Sequence, residues 1–139
     1  MQRQDFRFFH PLRVRYSEVD AQSVVFNAHY LTYFDVALTE FLRDAGYDYH
    51  GLVAQQGLDF HLVKSTVEYL APIRFDDELE IGVRAARIGN SSLTWALGIF
   101  RRGEETCLSR GEVIWVCAAA GSHRSHPLPA DLLALLETC

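Results

Sequence analysis

At 139 residues, with 49% hydrophobic and 22% charged positions, the chain has the length and composition of one globular unit and excludes a disordered tract. Its formal net charge of −5 argues against a nucleic-acid partner, which normally meets a basic domain, and leaves room only for a local basic patch toward a phosphorylated ligand. No apolar run reaches the ~20 residues that span a bilayer, and Met1-Gln2-Arg3-Gln4-Asp5 is too polar for a secretory signal, so a cytoplasmic location without a membrane partner is expected.

Phe6 to Tyr16 predicts a strand in which Leu12, Val14 and Tyr16 alternate with Arg13 and Arg15. Ser17 to Phe26 is a connection carrying two acids, Glu18 and Asp20. A helix follows, because Tyr30, Tyr33, Phe34, Ala37, Leu38, Phe41 and Ala45 recur at steps of three and four. Leu31 and Leu42 widen that stripe, which predicts an enclosed helix. Asn27 suits its N-cap and Gly46 its C′ position. Tyr47 to Gly57 reads as a helical turn and loop.

Beyond it, Leu58 to Leu70 predicts a strand closed by Ala71-Pro72. Glu78 to Ile88 puts Leu79, Ile81, Val83 and Ala85 on one face and Glu80 and Arg84 on the other. Gly89-Asn90 turns the chain into Leu93 to Phe100, and Gly103 turns it again into Glu105 to Ala118. Pro129 to Glu137 suits a short terminal helix. Cys107, Cys117 and Cys139 offer no close pair, hence no disulfide framework and no zinc-ligand spacing, and no metal is expected.

The order is one strand, one long helix, then four antiparallel strands joined by short turns. With a single long helix available, the simplest solution is an α+β domain over 1–139 whose sheet wraps that helix. Ala96 and Gly98 share a strand face and are expected to make room for it.

The segment that can carry chemistry is Asp20-Ala21-Gln22-Ser23-Val24-Val25-Phe26-Asn27-Ala28-His29-Tyr30. It places an acid just before a helix N-terminus, where free N–H groups and the helix dipole polarise a carbonyl oxygen. A carboxylate there attacks the carbonyl carbon or activates a water, so acyl transfer needs no metal or cofactor. On the residues alone, an Asp20 that supports a turn and an Asn27 that caps the helix is the simpler account.

The segment resembles the motif of the 4-hydroxybenzoyl-CoA thioesterase family of hotdog proteins: an Asp, a Gly three residues on, a Val two beyond, and a Tyr ten after the Asp. Asp20, Val25 and Tyr30 match in place, with Tyr16 and Glu18 before them and Phe34-Asp35 after. Tyr69-Leu70-Ala71-Pro72-Ile73-Arg74-Phe75-Asp76-Asp77-Glu78-Leu79 resembles the family's strand-Pro-x-x-x-Asp-Asp-x-Leu junction, and the similarity runs from about Leu12 to Val116. The resemblance implies a hotdog fold and an acyl-CoA thioesterase. Asp20 then serves as nucleophile or general base, and the Asn27 backbone N–H polarises the thioester carbonyl. Two departures stand out: Ser23 replaces the family's Gly, and Asn27 replaces its His or aromatic residue.

Ser23, Val25, Phe26, Tyr30, His61 and Lys64 are the residues expected to contact substrate, the last two from a strand that lines the channel in hotdog dimers. A homodimer or homotetramer follows from the same resemblance. His29 suits helix-end packing, Asp35 is a secondary candidate acid, and Arg87, Arg101 and Arg102 suit solvated turns better than CoA phosphates. The alternatives are hydrolysis of acyl groups on acyl carrier protein, a hotdog dehydratase, whose Asp-x-x-x-x-His pair has no match in the motif segment or the long helix, and a non-catalytic acyl-CoA-binding domain.

Overall fold

The computed structural model describes residues 1–139. Five strands form one sheet: β1 (Phe8–Arg13), β2 (Leu58–Tyr69), β3 (Glu78–Ile88), β4 (Ser92–Arg101) and β5 (Cys107–Ala119). Their order is β1-β3-β4-β5-β2, and every neighbouring pair is antiparallel. The long helix α1 (His29–Asp44) packs on one face, a short turn α2 (Tyr49–Gly51) leads into β2, and α3 (Ala130–Thr138) closes the chain. This is the hotdog arrangement that the resemblance implied.

The helix forms where its apolar period lies. Tyr30, Tyr33, Phe34, Ala37, Leu38, Phe41 and Leu42 are buried, and they join Leu79, Ile81, Val83, Leu93, Trp95, Leu97 and Ile99 in one core. Its far face is less enclosed than the wide stripe implied: Leu31 is 43% exposed and Val36 37%. Gly46, at φ +80°, ends the helix as expected. Its N–H donates to the Arg43 carbonyl, and the Tyr47 N–H reaches the Leu42 carbonyl at 2.9 Å, a Schellman pair.

The glycine that seats the helix is not the expected one. A Cβ at Gly111 in β5 would lie 2.4 Å from the Thr66 carbonyl oxygen and 2.5 Å from the Phe34 ring, so α1 comes down on Gly111. Gly98 faces the other way, where a Cβ would meet Met1 Sδ at 2.9 Å and the Phe6 ring at 3.1 Å. Gly98 pairs with Gly82, and this bare patch of the outer face accepts the N-terminal segment. Arg3 fastens that segment through Glu80 at 2.9 Å and the Arg101 carbonyl at 2.9 Å.

The two sheet edges differ. β1 has six residues and carries Pro11, which lacks the N–H needed to extend a ladder. β2 has twelve residues and no proline, and it pairs on one side only, with β5.

Candidate functional site

Asp20 sits in a tight hairpin between Val19 and Val25, which form an isolated bridge. The Ser23 N–H donates to the Asp20 carbonyl at 2.9 Å, and the Asp20 N–H donates to the Val24 carbonyl at 2.9 Å. This pattern is a three-residue hairpin loop whose last residue must turn left-handed. Ser23 does so at φ +64°. The family's Gly at this position has its physical reason here, since an L residue in that region is strained where Gly is not.

The loop also orients the acid. Asp20 Oδ1 accepts the Gln22 N–H at 2.8 Å, and Oδ2 takes no hydrogen bond from the chain. Bridges from Val24 to Arg74 and from the Val25 N–H to the Ile73 carbonyl (2.8 Å) set the hairpin against the Ala71–Asp77 turn. That turn is fixed in its own right. Arg101 donates to the Pro72 carbonyl at 2.7 Å and to Asp77 Oδ2 at 3.0 Å, while Asp77 Oδ2 accepts the Arg74 N–H at 2.8 Å. Arg101 is thus a structural tie, and Arg102 pairs with Glu78.

Together these elements border an open cavity of about 340 Å³ lined by Asp20, Gln22, Val24, Val25, Asn27 and Tyr30 on one side and Tyr69 to Pro72 on the other. Tyr30 is 4% exposed, packs edge-on to Tyr69 with ring centres 4.7 Å apart, and its hydroxyl bonds to no protein group. Burial raises its pKa, and the nearby Tyr69 and Asp20 add to the effect, so it stays a proton donor.

Asn27 does not cap the helix as expected. α1 begins at His29, Ala28 is the cap residue, and no side chain caps the end. The Asn27 carbonyl accepts the Tyr30 N–H at 3.3 Å and the Tyr69 hydroxyl at 3.4 Å. The Asn27 and Ala28 N–H groups donate to nothing in the chain, leaving two amides at the positive end of the helix, with Asn27 on the cavity wall.

The structure therefore brings together Asp20, Asn27, Val25 and Tyr30. Phe26 is 45% exposed beside His29, and neither it nor Ser23 lines the cavity. His61 and Lys64 lie outside it as well, pairing with Val116 and Ile114 of β5. From the same strand, Tyr69 is the residue that lines this cavity within one chain. Gln22, Tyr69, Leu70, Ala71 and Pro72 were not anticipated as wall residues, although the Ala71-Pro72 junction signalled a turn returning toward the motif.

A larger cavity, about 500 Å³, opens between α1, the Tyr47–His50 stretch and β2, with Asp35 at its rim. Asp35 is exposed and is not part of the Asp20 cavity. Aromatic groups line this second space, and the Tyr49 hydroxyl donates to Asp59 Oδ1 at 2.6 Å. Burial, then that hydrogen bond, pushes the Tyr49 pKa up to about 12.

Comparison with known proteins places this geometry. Residues 22–108 match the family model described as the thioesterase superfamily. The acyl-CoA thioester hydrolase YbgC of Escherichia coli is 36% identical over 124 residues, which cover 89% of this chain and 91% of that one. The crystal structure of the PA5185 protein of Pseudomonas aeruginosa superposes with a TM-score of 0.87 at 28% identity, over 99% of this chain and 94% of the other. A 1,4-dihydroxy-2-naphthoyl-CoA thioesterase from Synechocystis, Slr0204, shares the fold with a TM-score of 0.86 at 18% identity, over 93% and 94% of the two chains. A match that begins at Gln22 inside the hairpin and spans the helix and the first three of the four strands that follow leaves one assignment: the chain belongs to the thioesterase superfamily.

Proposed function

We propose that the protein hydrolyses an acyl-CoA thioester to the free carboxylic acid and CoA in the Asp20 cavity. The observation that carries this reading is the pairing, on one cavity, of a loop carboxylate with an open oxygen and helix-terminal amides that have no acceptor. The thioester carbonyl accepts the Asn27 N–H, which then stabilises the oxyanion that forms. Asp20 either attacks the carbonyl carbon or takes a proton from the attacking water. The C–S bond breaks and CoA leaves as the thiol, protonated by the water proton; where Asp20 is the nucleophile, the acyl–Asp20 anhydride that forms is hydrolysed by that water, which frees the acid and restores the carboxylate. Val25, Tyr30, Tyr69 and Leu70 bound the space beside the reacting carbon.

The names of the curated relatives support CoA as the carrier. No helix is long and apolar enough to cross a membrane, and the proposed location is the cytoplasm. The working form is a homodimer or a dimer of dimers. Its support is the open edge of β2, where Leu62, Val63, Tyr69 and Leu70 are about half exposed or more, and where Tyr69 and Leu70 also line the cavity. A second copy paired there would remove both the free edge and the exposed apolar rim. The test is a hydrolysis screen over short, long and aryl acyl-CoAs, with wild type and Asp20→Asn in parallel. Turnover of none of them by wild type would end the proposal.

A further inference from the structure

Away from the Asp20 cavity, His61 Nε2 is buried and makes no hydrogen bond. Such an atom has lost its water partner without replacement unless some group outside the chain satisfies it. Its ring has one aromatic neighbour, His123, with centroids 5.4 Å apart and planes tilted by 53°. The rings are too far apart and too inclined to be stacked.

The backbone holds His123 there at a cost. After β5, the Ala119 N–H donates to the Arg124 carbonyl at 2.8 Å, the His123 N–H donates to the Ala119 carbonyl at 2.9 Å, and Ala118 bridges to Ser125. This tight reversal puts His123 in the left-handed region at φ +59°, where a glycine would rest without strain. His61 stands across the β2–β5 ladder, opposite Val116.

We propose that His61 and His123 form a two-histidine site for a borderline divalent transition-metal ion, with water filling the remaining positions. With metal–nitrogen bonds of about 2.0–2.1 Å, two imidazoles on one tetrahedral ion have ring centres roughly 5 Å apart, which matches the observed spacing. Neutral imidazole suits Ni²⁺, Cu²⁺ and Zn²⁺ among such ions. No third His, Cys, Asp or Glu joins the pair, so the ion keeps open positions and exchanges, unlike one in a closed four-ligand site. Bound there, it gives the orphaned nitrogen its partner and clips the hairpin after β5 to strand β2.

The test uses full-length protein carrying Cys139→Ser, which removes the exposed thiol as a competing ligand. After chelator treatment and dialysis it is titrated calorimetrically with NiCl₂ and with ZnCl₂. One ion per chain is expected, with binding weakened ~10-fold or more by His61→Ala and by His123→Gly, and unchanged by His50→Ala. His123→Gly keeps the left-handed turn, so a loss of binding there reports the imidazole and not the loop. The unfolding midpoint should rise with the ion in the parent and not in those two variants. Absence of saturable binding, or binding that survives loss of either histidine, would overturn the site and leave a buried water as the partner of His61.

Discussion

Tyr33, in the middle of the buried face of α1, donates its hydroxyl to Glu18 Oε1 at 2.9 Å, so the carboxylate two residues before Asp20 is held in the core. Arg15 completes the cluster, its N–H on Oε1 at 2.8 Å and its guanidinium on Oε2 at 2.6 Å. The Glu18 carbonyl accepts the Phe26 N–H at 2.9 Å. One residue therefore ties both arms of the Asp20 hairpin to the helix. Burial alone would raise the Glu18 pKa, but the bonds from Arg15 and Tyr33 outweigh it and hold the carboxyl below the usual glutamate range. With the folded pKa below the unfolded one, ionised Glu18 stabilises the fold fully above pH ~4.3, and that contribution is lost as pH falls through the lowered value. Glu18→Gln should lower stability at neutral pH by ~1–3 kcal/mol and flatten the loss of stability below pH ~4.3. Urea unfolding across that range measures both, and an unchanged acid limb would count against the cluster.

Asp20→Asn keeps the shape of the side chain and its acceptor for the Gln22 N–H, but it cannot act as a carboxylate. The expected result is near-normal folding and CoA binding with kcat reduced ~10²-fold or more. A loop acid with only a structural part would shift stability by ~1 kcal/mol and leave turnover intact. Equal rates for wild type and variant on every acyl-CoA would overturn the assignment and make Asp35 the next acid to test.

Ser23 adopts a conformation that suits glycine, so Ser23→Gly should raise stability by about 1 kcal/mol, since relief of the left-handed strain outweighs the added freedom of the unfolded chain. Thermal or urea unfolding decides it. A loss of stability would mean that the serine side chain supports the loop in a way its hydrogen bonds do not reveal.

Asn27→Ala separates backbone from side chain. The Asn27 side chain makes no hydrogen bond in the chain, so stability should change by no more than ~0.5 kcal/mol, less than the loss of a true cap. Activity should largely remain, because the donor toward substrate is the N–H. A loss comparable to that of Asp20→Asn in a folded variant would put the amide side chain in the reaction.

Light scattering at micromolar concentration should give at least twice the 15.8 kDa of one chain. Val63→Pro, placed at the β2 bulge beside Leu62, should shift the mass toward one chain by spoiling the open edge. A wild-type protein that stays monomeric would remove the edge-pairing proposal.

Much of this fold could be read from residue order. The three- and four-residue steps from Tyr30 to Phe41 give the buried face of α1, and Gly46 gives its end, because both depend on neighbours close in sequence. Which glycine lies under the helix could not be read. β4 is central and apolar on both faces, so alternation along Leu93 to Phe100 does not say which face meets α1 and which meets Met1 and Phe6. At the site, Asp20 and Tyr30 stood out through the resemblance. The inward turn of Glu18 depends on Tyr33, fifteen residues away, and no local pattern marks such a pairing.

Gly111 also governs distance. A side chain at that position would meet backbone on one side and the Phe34 ring on the other, so the helix would have to rise from the sheet or β2 would have to part from β5. Phe34 lies little more than one turn from the helix start, and any rise there carries the Asn27 and Ala28 amides with it. The hairpin holding Asp20 is tied to α1 through Glu18 but also to the Ala71–Asp77 turn, so it would follow only in part. The span between acid and amides is therefore gauged by a missing methyl group on a strand that never touches the cavity.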